Sequence, residues 1–391
     1  MQRTPVIAAS AAALLGFAAL LTAGPLSPPS GPIASTYKTL NDVEPRVPIS
    51  DATTPGDGSA TFRITQPGSY YLTSSFTAPF SRSGIAIDAP NVTLDLRGFT
   101  IEGDGSFAGG AVGIIITSAA NVSVHDGVIR SFNAGGLVFL NPSTGGRVER
   151  LTVSNTRGVG VSVGSAASVS DCTAINNAYS GFASGDRCSF TRCSAFGNAA
   201  GGVSSAPVGN GFSLGRYCLV TDCSASNNGT GSQAGNGFFS DIVCQFQNCI
   251  AVENGSPALG LGDGFVTGPG TQVQFCTAVL NKGDGIRAAG TGTIRENTCI
   301  ANGSAGIHLT SAFGVVAENL SVNNSTGFRA DISSNSFARN TAINNVSNWE
   351  LAAGNSAYVI LKLSAGAISG DAGGSPTPST DPDANFSFNY Q

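Results

Sequence analysis

Positive charge is scarce in this sequence of 391 residues. Lysine occurs only at Lys38, Lys282 and Lys362, histidine only at His125 and His308, and the formal net charge is −5. Because no block of lysine or arginine exists, a nucleic acid has no basic patch to bind, which excludes that class of partner. The sequence also lacks a nucleophile elbow, a phosphate-binding loop, a zinc motif and a dinucleotide fingerprint.

Helical periodicity is missing as well from the repeated part of the chain. No unit there repeats apolar residues every 3.6 positions, as an amphipathic helix does. The sequence has instead 52 glycines and short alternating runs that are separated by Gly, Asn and Ser. This composition favours β structure with many turns, and the chain is long enough to bury a large core.

The N-terminus differs from the rest of the chain. Arg3 precedes an apolar run from Val6 to Leu21, and small residues follow. This layout predicts a signal peptide over residues 1–24, because the run is shorter than the ~20 residues that span a bilayer. A membrane anchor is the alternative. With a Pro-rich linker over 25–36, we predict an exported protein (extracellular, on the cell surface or periplasmic) without a membrane span in the mature chain.

A six-residue phrase, CTAINN at 172–177, recurs eight times and ends at 345. Its basal spacing is 21 residues, and three units carry insertions at 199–210, 229–236 and 255–263. A unit this short cannot bury its own apolar face and must stack on copies of itself. We therefore predict an all-β fold, a right-handed single-stranded parallel β-helix of about eleven coils over 84–351. An N-terminal cap over 37–83 and a C-terminal cap and tail over 352–391 would cover its open edges.

The last residue of the phrase is always asparagine. The eight copies end at Asn177, Asn198, Asn228, Asn254, Asn281, Asn302, Asn324 and Asn345. Stacking places them at one angular position, where Asn tolerates left-handed backbone geometry. Their amides then bond from coil to coil as a ladder. A residue that recurs eight times is structural, because a catalytic asparagine would occur once.

With these repeats in place, the chain resembles the pectin-lyase-like superfamily of secreted right-handed β-helices, and in particular uncharacterised bacterial proteins with right-handed parallel β-helix repeats. ITQPGSYYLTSSF (64–76) and NVTLDLRGFTI (91–101) are similar to the beginning of such proteins, and DPDANFSFNY (381–390) is similar to their end. The resemblance covers residues 37–391 and implies the fold. It implies activity only broadly, because this fold carries lyases, hydrolases, epimerases and inert adhesins.

All nine cysteines lie between 172 and 299, in two columns and one separate position. The first column is Cys172, Cys193, Cys223, Cys249 and Cys276; the second is Cys188, Cys218 and Cys244, with Cys299 apart. Stacked buried thiols, disulfides and a metal site are the alternatives, and the lack of a CxxC pair weighs against the last. We expect the Cys and Ala columns to face inward, which places a Thr-x-Ile stripe on the surface.

No cluster of carboxylates that would hold Ca²⁺ or cleave a glycosidic bond is evident in the sequence. The column Asp126, Arg150, Asp171, Arg192 and Asp222 alternates in sign and predicts a surface ion ladder rather than a Ca²⁺ cage. We interpret Asp263 and Asp284 as strand-entry turns, and His125 and His308 as packed or solvated residues. The candidate catalytic residues are instead Asp186, Arg216, Tyr217 and Asp241, which occupy one turn of three consecutive coils.

Two functional hypotheses follow. In the first, the protein binds or processes a polysaccharide or cell-surface glycan in a lateral groove, and if it is an enzyme it is a polysaccharide lyase or glycoside hydrolase. In the second, it is a non-catalytic, adhesin-like protein with flat binding faces. Converging carboxylates on a groove would favour the first hypothesis, and a bare groove beside a long Thr-x-Ile stripe would favour the second.

Overall fold

Short strands and tight turns fill the chain from Arg46 onward. The computed structural model describes residues 46–105, 109–117, 119–140, 142–199, 209–230, 235–358, 360–362, 368–370 and 382–388. The predicted signal peptide and linker lie outside the described residues. The part of the chain that is described contains no helix, and hence none that could span a membrane.

Every ladder between strands is parallel, and the strands form three faces. Face 1 is a 14-stranded sheet. Its strands are Ala60–Ile64, Ser83–Ile87, Val112–Ile116, Gly135–Phe139, Val159–Val163, Phe182–Ser184, Phe212–Leu214, Phe238–Ser240, Phe265–Thr267, Ile286–Ala288, Ala305–Leu309, Thr326–Ala330, Ser347–Leu351 and Ile368–Gly370. Each coil of the chain adds one strand to this face and then passes to the other two.

Faces 2 and 3 belong to one 26-stranded sheet, because two long strands, Ser123–Arg130 and Arg147–Ser154, run through both. Face 2 also holds Val47–Pro48, Gly68–Tyr71, Val92–Asp95, Ser168–Ser170, Ser189–Thr191, Leu219–Thr221, Gln245–Gln247, Gln272–Gln274, Thr293–Arg295, Val315–Ala317, Ser336–Ala338 and Ser356–Ala357. Face 3 also holds Phe76–Thr77, Thr100–Glu102, Thr173–Ile175, Ser194–Phe196, Ser224–Ser226, Ile250–Val252, Thr277–Val279, Thr298–Ile300, Leu320–Val322, Thr341–Ile343, Asn385–Phe388 and Ile360–Lys362.

The predicted parallel β-helix is confirmed, with one correction of size. The stack has about 13 turns rather than the eleven predicted. The difference arises because strands from Ala60 onward, and strands beyond residue 351, join the same sheets.

Inward-facing side chains make a continuous apolar core. Phe182, Phe212, Phe238 and Phe265 follow the repeated glycine in consecutive coils, and their rings stack with centroids 4.8 Å apart. Aromatic pairs at such distances stabilise a core beyond the effect of their buried area. Trp349 continues this column near the C-terminus and stacks on Phe328 at 4.5 Å.

The thiols are part of this core. All nine cysteines are buried and free. Cys172 and Ala174 are 1% and 0% exposed, whereas Thr173 and Ile175 between and beside them are half-buried. The inward orientation of the Cys and Ala columns and the outward Thr-x-Ile stripe are thereby confirmed.

The asparagine ladder is also confirmed, and it depends on the repeated glycine. Asn198 Nδ2 donates to Asn228 Oδ1 at 3.0 Å, and the same contact recurs from coil to coil. A Cβ atom on Gly211 would lie 2.8 Å from Asn228 Nδ2, so only glycine leaves room for the amide. One detail of the prediction was wrong. The left-handed residue is the one before the ladder position, such as Asn227 with φ +55°.

Candidate functional site

The structure brings the four predicted site residues together at the turn that follows face 1. The backbone N–H of Arg216 donates to Asp186 Oδ1 at 2.9 Å, and Arg216 Nε lies 3.2 Å from Asp241 Oδ2. Arg187 lies over the Tyr217 ring at 5.4 Å. Tyr217 is 50% exposed. The side chains of Arg216 and Asp241 are 53% and 49% exposed, so this ion pair contributes little to stability. A catalytic role for these residues stays a prediction.

A second set of polar residues lines a groove of about 780 Å³ on the outer side of face 1. Arg287 and His308 are register partners on neighbouring strands, and Arg329 follows in the next coil. Outward side chains in register stack directly above one another. Arg287 and His308 line the groove, and Arg329 extends their column by one coil beyond it.

Carboxylates contact this row of Arg, His and Arg from the turns at the start of the face 1 strands, where a column of side chains caps backbone N–H groups. In this column each side-chain oxygen accepts the backbone N–H of the next coil: Ser180 caps Asn210, Asn210 caps Asn236, Asn236 caps Asp263, Asp263 caps Asp284 and Asp284 caps Ala305. An amide would serve this purpose as well as a carboxylate does. The change to aspartate at 263 and 284 places a second carboxylate oxygen beside Arg287 and His308.

His308 is held by carboxylates on both ring nitrogens. Its Nδ1 lies 2.8 Å from Asp284 Oδ2, and its Nε2 lies 2.9 Å from Asp331 Oδ2. Asp331 Oδ1 also accepts a hydrogen bond from Arg329 Nε at 2.8 Å, and Asp263 Oδ2 accepts one from Arg287 Nε at 2.7 Å. The site is therefore a connected network in which each charge has a partner.

Burial separates this network from a surface ion ladder. The side chains of Asp284 and His308 are only 7% and 11% exposed, whereas Arg192 and Asp171 of the predicted ladder are 58% and 37% exposed. That ladder is present as separate pairs, Arg150 with Asp126 and Arg192 with Asp171. Buried charges cost more to desolvate than exposed ones, so they mark functional sites more often.

The pKa values of the groove residues move in opposite directions. Burial raises the pKa of Asp263 above its ordinary value, against the effect of Arg287. Burial acts the same way on Asp284, but the contact with His308 outweighs it and leaves the pKa of Asp284 lowered. Burial lowers the pKa of His308, and the two carboxylates outweigh it, so that the pKa is raised. Neighbouring groups with divergent pKa values are suited to acid–base work.

Sequence reasoning missed this site. Asp263 and Asp284 do cap strand entries, as we interpreted them, but both also contact charged groups of the groove. The signal that would have revealed the site is the register of the repeats. Arg287, His308 and Arg329 occur 21 residues apart, and the repeat length alone places them in one outward column.

Among the described residues, one group of His and Asp side chains has its ligand atoms close enough together for a metal ion, but an ion there would compete with arginines. Asp95, His125 and Asp126 offer ligand atoms within 4.8 Å of one another. However, Arg46 lies 2.9 Å from Asp95, and Arg150 Nη2 donates to Asp126 at 2.9 Å. In the groove, the carboxylates of Asp263 and Asp284 are likewise paired with Arg287 and His308. A Ca²⁺ cage needs several free oxygen ligands, and these contacts do not leave them.

The stack of parallel faces, with its ladder and lateral groove, defines a right-handed parallel β-helix, and the predicted resemblance to that superfamily is confirmed. Residues 80–214 match the family described as "Right handed beta helix region". None of the curated proteins compared with the sequence matches it.

Solved structures with a similar course of the chain include three polysaccharide-acting proteins. The A-module of a mannuronan C-5 epimerase from Azotobacter vinelandii has a TM-score of 0.43 and 11% identity, with 86% of this chain and 87% of that chain covered. An alpha-1,3-glucanase from Streptomyces thermodiastaticus has a TM-score of 0.40 and 11% identity, with coverage of 88% and 69%. A pectate lyase has a TM-score of 0.35 and 16% identity, with coverage of 74% and 69%. With TM-scores this low, the activities of these proteins carry no weight for this chain.

Proposed function

We propose that the protein binds an acidic polysaccharide along the groove of face 1 and processes it by proton transfer at His308. The observation that carries this proposal is the row of Arg287, His308 and Arg329, which is joined to buried carboxylates. Guanidinium groups receive carboxylates in a bidentate manner, so the two arginines suit the acid groups of a uronate chain. His308 lies between them in register, so the two arginines are separated by two steps of the ~4.8 Å strand spacing, about 10 Å along the coils.

The arrangement around His308 suits a group that moves a proton near neutral pH. Asp284 at Nδ1 fixes the orientation of the ring and favours its protonated form, as a carboxylate partner does for a catalytic histidine. Nε2 is contacted by Asp331, whose side chain is 40% exposed. A ligand carboxylate that pairs with Arg329 would displace Asp331 and leave Nε2 facing the ligand.

Export is part of the proposal. The layout of residues 1–24 supports it, with Arg3 before an apolar run and small residues after it. A polysaccharide substrate outside the cytoplasm is consistent with this location. N-terminal sequencing of the protein recovered outside the cytoplasm tests the point, and an intact Met1 there would contradict cleavage.

The test incubates the protein with polygalacturonate, alginate, xylan and neutral glucans. Ultraviolet absorbance detects unsaturated uronides, a reducing-end assay detects new chain ends, and affinity gels detect binding. We expect retention and turnover on an acidic chain. The variant His308→Gln should lose turnover by about 10²–10⁴-fold. His125→Gln is the matched control, because it removes the other histidine, which also contacts an aspartate, and it should keep full activity. Turnover by His308→Gln equal to the wild type would refute the assignment.

A second candidate function rests on face 3. Its outward positions from Thr173 to Ile343 carry no charged residue, and Phe196 and Ile250 are 45% and 46% exposed. A flat uncharged stripe of this kind fits the adhesin-like alternative. Retention on a glycan that survives His308→Gln and Arg287→Ala but is lost in Phe196→Ala would favour it.

A further inference from the structure

An aromatic side chain stands on the outer side of face 1, in the same column as the Arg and His row. Phe239 lies between Ser213 and Val266 in register, and it is 39% exposed, whereas its neighbours Phe238 and Ser240 in the strand are buried. The core therefore does not need this ring. Phe239 lines the same groove as His308.

The third insertion contributes a second apolar side chain to the same groove. Ser256 N–H donates to Leu261 O at 2.8 Å and Gly260 N–H donates to Ser256 O at 2.9 Å, so the loop is closed on itself. Gly262, with φ +122°, would clash with Gly255 if it carried a Cβ. This tight loop presents Leu261, which is 58% exposed, to the groove. Exposed apolar groups with a few polar ones in a concave surface are typical of a ligand site.

The distance between the two ends of the groove follows from strand register. Phe239 pairs with Val266, Val266 with Arg287 and Arg287 with His308. These three steps of ~4.8 Å separate Phe239 from His308 by about 14 Å. No single sugar ring spans that distance, whereas a short oligosaccharide running along the coils does.

We infer that the groove is an extended site for an oligosaccharide, with Phe239 as a sugar-stacking platform that is remote from His308. The inference rests on the proposed function and adds a length requirement to it. One sugar places its carboxylate at an arginine beside His308. A sugar several residues along the chain lays its apolar ring face on Phe239, with Leu261 as the opposite wall. Affinity then depends on the length of the ligand, and Phe239 determines that dependence.

The experiment measures the dissociation constant of acidic oligosaccharides, from disaccharide to octasaccharide, by titration calorimetry. For the wild type we expect affinity to rise with length and to level off once the chain reaches Phe239. Phe239→Ala should weaken binding of the long oligomers about tenfold, as loss of an aromatic anchor does, and leave the shortest ones unchanged. Phe239→Trp should keep the rise of affinity with oligosaccharide length. Leu261→Ala should weaken binding of the long oligomers, as Phe239→Ala does.

Phe196→Ala is the matched control, because Phe196 is a similarly exposed phenylalanine on face 3. Equal weakening of short and long oligomers by Phe239→Ala, no weakening at all, or the same effect from Phe196→Ala would overturn the inference while leaving the proposed function in place. If no acidic oligosaccharide binds the wild type at any length, the proposed function fails and this inference fails with it.

Discussion

At residue 263 the column of strand caps changes from an amide to a carboxylate, although the cap itself needs only one oxygen. Asp263 Oδ1 accepts the Asp284 backbone N–H at 2.7 Å, as Asn236 Oδ1 does for Asp263 at 2.8 Å. The side chain of Asp263 is 10% exposed, so its charge is partly desolvated. This carboxylate is partly desolvated at the position where its second oxygen contacts Arg287. A charge that is kept in spite of its desolvation cost indicates a functional carboxylate.

This reasoning predicts different outcomes for two substitutions. Asp263→Asn keeps the cap and should be at least as stable as the wild type at neutral pH, whereas Asp263→Ala leaves a buried N–H unpaired and should cost roughly 1–3 kcal/mol. The pKa of Asp263 is raised in the folded state, so the wild type loses folding stability as pH rises and this carboxyl ionises. Asparagine does not ionise, so the stability advantage of Asp263→Asn over the wild type should grow above about pH 4. Urea unfolding below and above that pH measures both effects, and equal loss in the two variants would contradict the cap.

His308 gives the native state its own pH dependence. Its folded pKa is raised, so the stabilisation from its protonated contacts is complete below its ordinary pKa of about 6.5 and is lost as pH rises through the folded value. The pKa values of Asp284 and Asp331 are lowered in the folded state, so the stabilisation that these carboxylates contribute is lost as pH falls through their folded pKa values. The difference in unfolding free energy between wild type and His308→Gln should therefore be largest at pH values between the carboxylate pKa values and the His308 pKa. A gap that widens with rising alkalinity would contradict this account.

At the scale of elements, the glycine and asparagine columns depend on each other. Asn228 Oδ1 accepts hydrogen bonds from the backbone N–H and the side-chain amide of Asn198, both at 3.0 Å. Asn228 Nδ2 donates to Ala195 O, also at 3.0 Å. Asn228→Ala should therefore destabilise the fold by roughly 1–3 kcal/mol for each donor that it leaves unpaired. Thermal or urea unfolding measures the loss.

The adjacent residue supplies a matched control for the ladder. Asn227 has a left-handed backbone, with φ +55°, which glycine adopts freely. Asn227→Gly should change stability by less than about 0.5 kcal/mol. Equal losses in Asn228→Ala and Asn227→Gly would mean that the turn, and not the ladder, carries the stability.

Features that repeat could be predicted from the sequence, and features that break the repeat could not. The ladder at Asn228 and the inward side of Cys172 follow from a phrase that occurs in eight coils, because a one-residue slip would reverse all faces at once. The groove depends on single substitutions in otherwise regular columns. Asp284 and His308 look like an ordinary turn and an ordinary strand residue until register places them 2.8 Å apart.

At the scale of the whole molecule, the C-terminal tail is built into the stack. Asn385–Phe388 pairs with Thr341–Ile343 on one side and with Ile360–Lys362 on the other, so a later segment of the chain separates two earlier ones. Asn385 extends the ladder of Asn297, Asn319 and Asn340, and its Oδ1 accepts the Asn340 N–H at 2.9 Å. The tail thus covers the strand edge that the last regular coil would otherwise leave open.

Removal of residues 382–391 tests this role. It exposes the edge of Thr341–Ile343, and open parallel edges pair with other chains. We expect a lower melting temperature and association that increases with concentration in light scattering. Removal of 389–391 alone keeps Asn385–Phe388 and should leave the protein unchanged. If the longer truncation shows the same association state and melting temperature as the wild type, the tail strand contributes nothing to closure.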